Sequence, residues 1–269
     1  MSLPADERGD RPERDEQLIV TLAERLDPVL RWYFRLRVEG VETVPEEPCL
    51  FVGNHNGGML MPDMYLLGMV LYRRFGLAGV PWGLAHRFAM GVPLVGHTLR
   101  RLGAVPGCQD SGLRLLAEGR NVVVYPGGEL DSMRSHRERD RVCFGQRRGY
   151  LKLALRAGVP VVPVVTAGAH ETLWVLNDGR RLARRLGIHR WLGLSAFPLT
   201  LSLPWGLWLG IPPPHFPLPT RIQVTLLPPI RFERSGEAAA ADAAYVETCH
   251  TELHRRMEQE LQRLTHQRR

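Results

Sequence analysis

Three short apolar runs, each ending in glycine, do most to limit how this chain can fold: "CLFVG" (49–53), "NVVVYPGG" (121–128) and "VPVVPVVTAG" (159–168). Each is bounded by turn residues and reads as a buried strand rather than a helix. The segments between them carry helical spacing. "PDMYLLGMVLYRRFG" (62–76) predicts a helix stopped by Gly76. "DSGLRLLAEG" (110–119) predicts one capped by Asp110 and closed by Gly119, and "GQRRGYLKLALRAG" (145–158) predicts another. "LIVTLAERLDPVLRWYFRLRVEG" (18–40) opens as a helix and passes into a strand through Leu36 and Val38, while "RRLGAVPG" (100–107) ends in a strand and turn. "RIQVTLLPPI" (221–230) adds a late strand. A C-terminal helix over 237–266 packs through Val246, Cys249, Leu253, Met257, Leu261 and Leu264. Strands alternating with helices make this an α/β fold with a largely parallel central sheet flanked by helices. A disordered lead-in over 1–15 is expected, followed by a single domain over 16–269.

The formal charge is +7 with a pI near 9.7, which calls for an anionic partner: a membrane surface, an anionic substrate or nucleic acid. No nucleic-acid motif accompanies the charge, and aromatics do not interleave the basic runs, so nucleic acid is set aside. Cys49, Cys108, Cys143 and Cys249 have no metal-ligand spacing and read as reduced structural thiols. The N-terminus lacks the apolar core of a signal peptide, and no long apolar run predicts a membrane-spanning helix.

Ligands of open α/β sheets bind beyond the carboxyl ends of the strands. Two polar, glycine-rich turns fall there: "NHNGG" (54–58) and "PGGELD" (126–131). His55 is followed eight positions later by Asp63. Two readings stand. Pro62 and Asp63 suit the first turn of a helix and need no further role. Alternatively, His55 is a base oriented by the Asp63 carboxylate. No G-x-S-x-G, P-loop, H-E-x-x-H or dinucleotide fingerprint competes. A histidine and carboxylate without a serine or cysteine suit direct deprotonation of a substrate hydroxyl.

The ordered series "FVGNHNGGMLMPD", "LRRLGAVPG", "VVVYPGGELDSMR" and "FGQRRGYLKLALRAGVPVVPV" resembles the phospholipid/glycerol acyltransferase (lysophospholipid acyltransferase) family, nearest its diacylglycerol-acyltransferase-like branch. The four stretches are similar to the N-H-x4-D block, the second block, the F-P-E-G-T-R block in a "PGG" variant, and the final P-[IV]-[IV]-P block. The resemblance runs from Arg37 to Thr166. It departs from the family in three places: the longer His55–Asp63 spacing, a missing arginine after "GAVPG", and Gly127 where many members carry glutamate. Glu129, Asp131 and Arg134 are then possible substitutes.

The resemblance implies a glycerol-phosphate-acyltransferase-like fold and acyl transfer from acyl-CoA or acyl carrier protein to a glycerolipid hydroxyl. It implies activity like that of a 1-acylglycerol-3-phosphate O-acyltransferase, with a lysophospholipid as the favoured acceptor and a neutral mono- or diacylglycerol as the alternative. His55 would be the base and Asp63 its orienting acid. Asn54, Gly57, Gly58, Gly127, Gly128, Glu129, Arg134, Arg147 and Arg148 would bind substrate, with Arg134 on the acceptor phosphate. No metal or other resident cofactor is implied. A nonenzymatic lipid-binding protein on the same fold is the rival reading, motivated by the stretched spacing. The arginine-rich loop "MRSHRERDRVCFGQRR" (133–148) is either a solvated loop or a receiver of coenzyme A phosphates.

Residues 191–220 contain no Asp, Glu, Lys or Arg, but seven prolines and three tryptophans. The prolines forbid a continuous spanning helix. The segment is either a buried loop or a membrane-contact insert through Trp191, Trp205 and Trp208, with the arginines of "GRRLARRLGIHR" (179–190) facing anionic headgroups. The second reading places the protein peripherally or monotopically on the cytoplasmic face of a membrane.

Overall fold

The chain is described by a computed structural model over residues 14–58, 61–188, 196–210, 212–213 and 215–268. Its centre is built from strands whose residues are too apolar to face water. Leu50–Gly53 (β2) and Val161–Ala167 (β6) are buried at every position and pair in parallel. Around them lie Arg37–Glu39 (β1), Trp82–Ala85 (β3), Ala104–Pro106 (β4), Val122–Val124 (β5) and Gln223–Leu226 (β10). The sheet order is β1-β10-β6-β2-β5-β3-β4, and every pair is parallel except β10 with β6. The expected largely parallel sheet is therefore present.

Helices cover both faces. On one side Glu16–Tyr33 (α1) and Pro62–Gly79 (α2) pack with Phe34, Phe51, Leu67 and Leu71. On the other, Gln109–Ala117 (α5), Gly149–Ala157 (α7) and the C-terminal helices bury Leu115, Leu151, Leu155 and Leu253. Arg87–Gly91 (α3) and Pro93–Arg101 (α4) join β3 to β4. The short Glu129–Ser132 helix (α6) follows β5.

Several local expectations shift. The lead-in is anchored by position 14: Arg14 donates to the carbonyls of Val80 and Leu77, and Asp15 caps α1 at the Leu18 N–H. Gly76 leaves helical geometry (φ 65°) as expected, yet a last turn continues to Gly79. α5 begins at Gln109 with Cys108, not Asp110, at its cap, and the Gln109 side chain donates to Gly149 O. The C-terminal helix is broken into Glu237–Ala241 (α9) and Ala243–Arg268 (α10), since Asp242 turns extended and its carboxylate accepts from Tyr245 N. All six residues of the expected packing face are buried.

A second, three-stranded antiparallel sheet was not anticipated. Trp174–Asn177 (β7), Leu199–Ser202 (β8) and Gly206–Leu209 (β9) form it in that order. Arg180–Arg185 (α8) follows β7. Residues 191–220 are not buried throughout their described part: Leu201, Leu203, Trp205, Leu207, Trp208, Leu209 and Phe216 are exposed, while Thr200, Ser202 and His215 are buried. Trp191 lies outside the described residues. No described helix is long and apolar enough to cross a membrane.

Candidate active site

β2 and β5 end side by side, Val52 opposite Val124, so the two glycine turns that follow them meet. Gly57 (φ 72°) and Gly58 (φ 63°) both take the left-handed backbone that other residues resist. This bend absorbs the extra length between His55 and Asp63. Pro62 then starts α2, and Asp63 in its first turn lies beside the histidine with its Oδ2 3.4 Å from His55 Nδ1. The same oxygen accepts from Asn56 N at 2.8 Å. His55 Nε2 has no partner among the described residues, and His55 lines a cavity of about 590 Å³.

The histidine's backbone is held as firmly as its ring. Its N–H donates to Asp131 Oδ2 at 2.6 Å, and its carbonyl accepts from Arg134 Nη1 at 2.7 Å. Asp131 and Arg134 have no exposed surface and pair with each other at 3.0 Å. Burial pushes the Asp131 carboxyl above its ordinary range, with Arg134 pulling the other way. Arg134 also donates to Asn56 Oδ1 and to the carbonyls of Glu138 and Arg139. Behind it, His170 Nε2 donates to Arg134 O. Desolvation, then the Arg134 charge, holds that imidazole well below 6.5 and therefore neutral.

Three residues expected to bind substrate have their side chains bonded to protein. Arg134 has every side-chain nitrogen bonded to protein, and it does not line the cavity beside His55. Asn54 is fully buried and exchanges two hydrogen bonds with the Thr166 backbone, extending the β2–β6 ladder. Arg148 turns toward α10, where it grips both oxygens of Glu247. Of the glycines, Gly58 and Gly128 border the cavity. Gly57 and Gly127 do not: a Cβ on the first would strike Pro62 Cδ at 2.6 Å, and on the second Cys143 O at 2.6 Å.

Glu129 and Arg147 do line the cavity, paired at 2.9 Å, and Arg147 also donates to Gly127 O. Arg147 is thus the cationic side chain of the expected set that reaches the cavity. The rest of the wall is largely apolar and includes Met61, Met64, Leu84, Leu99 and Leu153. A smaller space of about 90 Å³ shares Met64, Gly83, Leu99, Ala104 and Val123 with it, and Ile19, Leu22 and Ala23 of α1 border its far side.

Sequence reasoning passed over Tyr125, which stands where the F-P-E-G-T-R block has phenylalanine. Its ring lies 4.9 Å from that of His55 and fills the space a side chain at Gly53 would need. Burial, then the Asp63 charge, keeps its phenol well above its ordinary value and so protonated. The signal was its place just before "PGG". The four cysteines are free thiols, and burial raises Cys49 to about 12 and Cys143 to about 11.

The family model described as Acyltransferase matches residues 35–167, the stretch from the end of α1 through β6. This stretch, just under half of the chain, is similar to that family and contains His55 and both glycine turns that border the cavity. It is 28% identical over 207 residues to an uncharacterized protein of Mycobacterium tuberculosis, covering 76% of this chain and 55% of that one. It is 26% identical over 190 residues to the Gallus gallus protein named "DGAT1/2-independent enzyme synthesizing storage lipids", covering 70% of this chain and 55% of that one. The matched region thus spans about half the length of these curated relatives. The fold is that of a 1-acyl-sn-glycerophosphate acyltransferase from Thermotoga maritima, with a TM-score of 0.56 at 17% identity, covering 93% of this chain and 79% of that one.

Proposed function

We propose that this protein transfers an acyl group from a thioester, acyl-CoA or acyl carrier protein, to a hydroxyl of a glycerolipid, with His55 as general base. The observation that carries the reading is His55 at the cavity wall, with Asp63 at Nδ1 and no protein group on Nε2. Nε2 takes the hydroxyl proton as the oxygen bonds to the thioester carbonyl carbon. The C–S bond breaks, and the proton passes from the imidazolium to the leaving thiolate. Asp63 keeps the proton-bearing nitrogen at Nδ1 and supports the transient imidazolium, as the acid of a hydrolase triad does. The two adjoining apolar spaces suit an acyl chain.

For the acceptor, a neutral mono- or diacylglycerol fits best. Arg134 and Arg148 are committed to protein, and Arg147 is already neutralised by Glu129. A phosphorylated acceptor would need Arg147 to exchange Glu129 for phosphate. The His55–Asp63 contact across the stretched spacing supports the enzymatic reading over the nonenzymatic rival.

The test is release of free CoA from acyl-CoA in the presence of a panel of neutral and phosphorylated acceptors. His55→Ala should lower turnover by roughly 10²–10⁴-fold while leaving the melting temperature near wild type. Asp63→Asn should slow it too, by disturbing imidazole orientation. A folded His55→Ala protein with normal turnover would overturn the mechanism.

A further inference from the structure

The β7–β8–β9 sheet has one face that the protein leaves uncovered. Side chains directly opposite on neighbouring strands share a face. Trp174 lies opposite Leu201, and Leu201 opposite Leu207; Leu199 lies opposite Leu209. Trp174, Leu201, Leu207 and Leu209 are all exposed, Leu207 at 64%. Thr200 and Ser202, which alternate with them on β8, are buried on the inner face. Beyond β8, Leu203 bridges to Phe216, which is 68% exposed. This is the reverse of the usual arrangement, with leucines outside and hydroxyls inside, and a contiguous apolar patch of this kind marks a docking site.

Two further observations say what docks there. α8 follows β7 directly, and its Arg181, Arg184 and Arg185 are exposed with no carboxylate partner among the described residues. The sheet's inner side is also the flank of the catalytic loop: Leu173, just before β7, fills the space beside Gly58 and clusters with Met133, Val175 and Ala196. Met133 and Ala196 line the cavity as well.

We propose that the outward face of this sheet, with Phe216, docks on a lipid surface bearing anionic headgroups, which the α8 arginines contact, and so sets the cavity beside the bilayer. The inference rests on the acyl-transfer reading for its purpose, since acceptor and product are then membrane lipids. A second copy of this chain is the poorer occupant: a two-fold contact through the patch would bring both arginine sets together on a chain already carrying +7. An anionic headgroup layer pairs them instead.

Vesicle sedimentation of the full chain tests this without turnover. Binding should be clear on phosphatidylglycerol-containing vesicles, weak on pure phosphatidylcholine, and reduced by salt. Leu201→Ser with Leu207→Ser should weaken it roughly tenfold or more at unchanged melting temperature. Arg181→Gln with Arg184→Gln and Arg185→Gln should remove the preference for phosphatidylglycerol. Brominated lipid should quench the tryptophan fluorescence of the wild-type protein, a readout that needs no variant to fold. Unaltered binding by a folded serine variant, or absent quenching, overturns the proposal. So does a wild-type dimer that the serine substitutions convert to monomer. Turnover of a water-soluble thioester and acceptor should be unchanged in both variants, so a failure of acyl transfer appears in that assay and a failure of docking on vesicles.

Discussion

A guanidinium with no exposed surface has to find its hydrogen-bond acceptors inside the protein, and Arg134 finds them on three segments: His55 and Asn56, Asp131, and the Glu138–Arg139 turn. It holds the loop that presents the histidine. Sequence reasoning placed it on an acceptor phosphate because charge is visible in a sequence and burial is not. His55 and Asp63 were legible for the opposite reason. Their chemistry is distinctive, and the two glycines between them supply the bend that a longer spacing requires. Arg134→Met should therefore destabilise the protein by roughly 3–5 kcal/mol, because Asp131 would be left buried and unpaired. Turnover should fall on neutral and phosphorylated acceptors alike. Thermal unfolding and a two-acceptor assay check both, and a normal melting temperature with selective loss on the phosphorylated acceptor would return Arg134 to substrate.

At the scale of elements, the innermost strands were readable because β2 and β6 are buried at every position and so are almost wholly apolar. β3 escaped notice: "WGLA" is short and its small residues give no periodic signal. The second sheet escaped notice despite a visible cue. "LTLSL" at 199–203 alternates as a strand should, but the surrounding prolines and tryptophans pointed to a loop or membrane insert. Where β2 runs out of backbone partners, the Asn54 side chain takes over, accepting from Thr166 N at 2.8 Å and donating to Thr166 O at 3.0 Å. Asn54→Ala would leave both Thr166 groups buried and unpaired, at a cost of about 1–3 kcal/mol each way the ladder is opened. Its melting temperature should fall, and amide exchange at Thr166 should quicken. Asn54→Asp should be worse than a neutral isostere, since it replaces a donor with a buried charge facing a carbonyl.

The whole molecule is closed by α10, which lies across α7 and β6 and carries two histidines into the interface. His250 Nδ1 contacts the Tyr150 hydroxyl at 2.7 Å, and His254 Nε2 donates to Val142 O at 3.0 Å, with Phe144 packed between their rings and Tyr150. Tyr150 in turn lines the cavity, so the clasp and the site share a wall. Desolvation lowers His250 from 6.5 to about 4, helped by Arg148 and His254 and opposed by Glu247. The sign follows from linkage. The unfolded chain takes up this proton as pH drops through 6.5, whereas the folded chain resists until about 4. His250 thus contributes stability that is complete above pH 6.5 and is lost as pH falls toward 4. His170, also held well below 6.5, acts in the same direction. The lowered carboxyls of Glu171 and Asp242 add a separate loss at more acidic pH. Acid also adds charge to a chain already at +7, which opposes compaction further. The melting temperature should therefore decline between pH 6.5 and 4, before the carboxyls with the lowest values titrate. His250→Gln, whose amide oxygen can still accept from Tyr150, should melt lower than wild type at neutral pH but show a shallower decline across that window. A wild-type slope that the substitution leaves untouched would move the acid sensitivity from the α10 clasp to His170 and the loop behind the catalytic histidine.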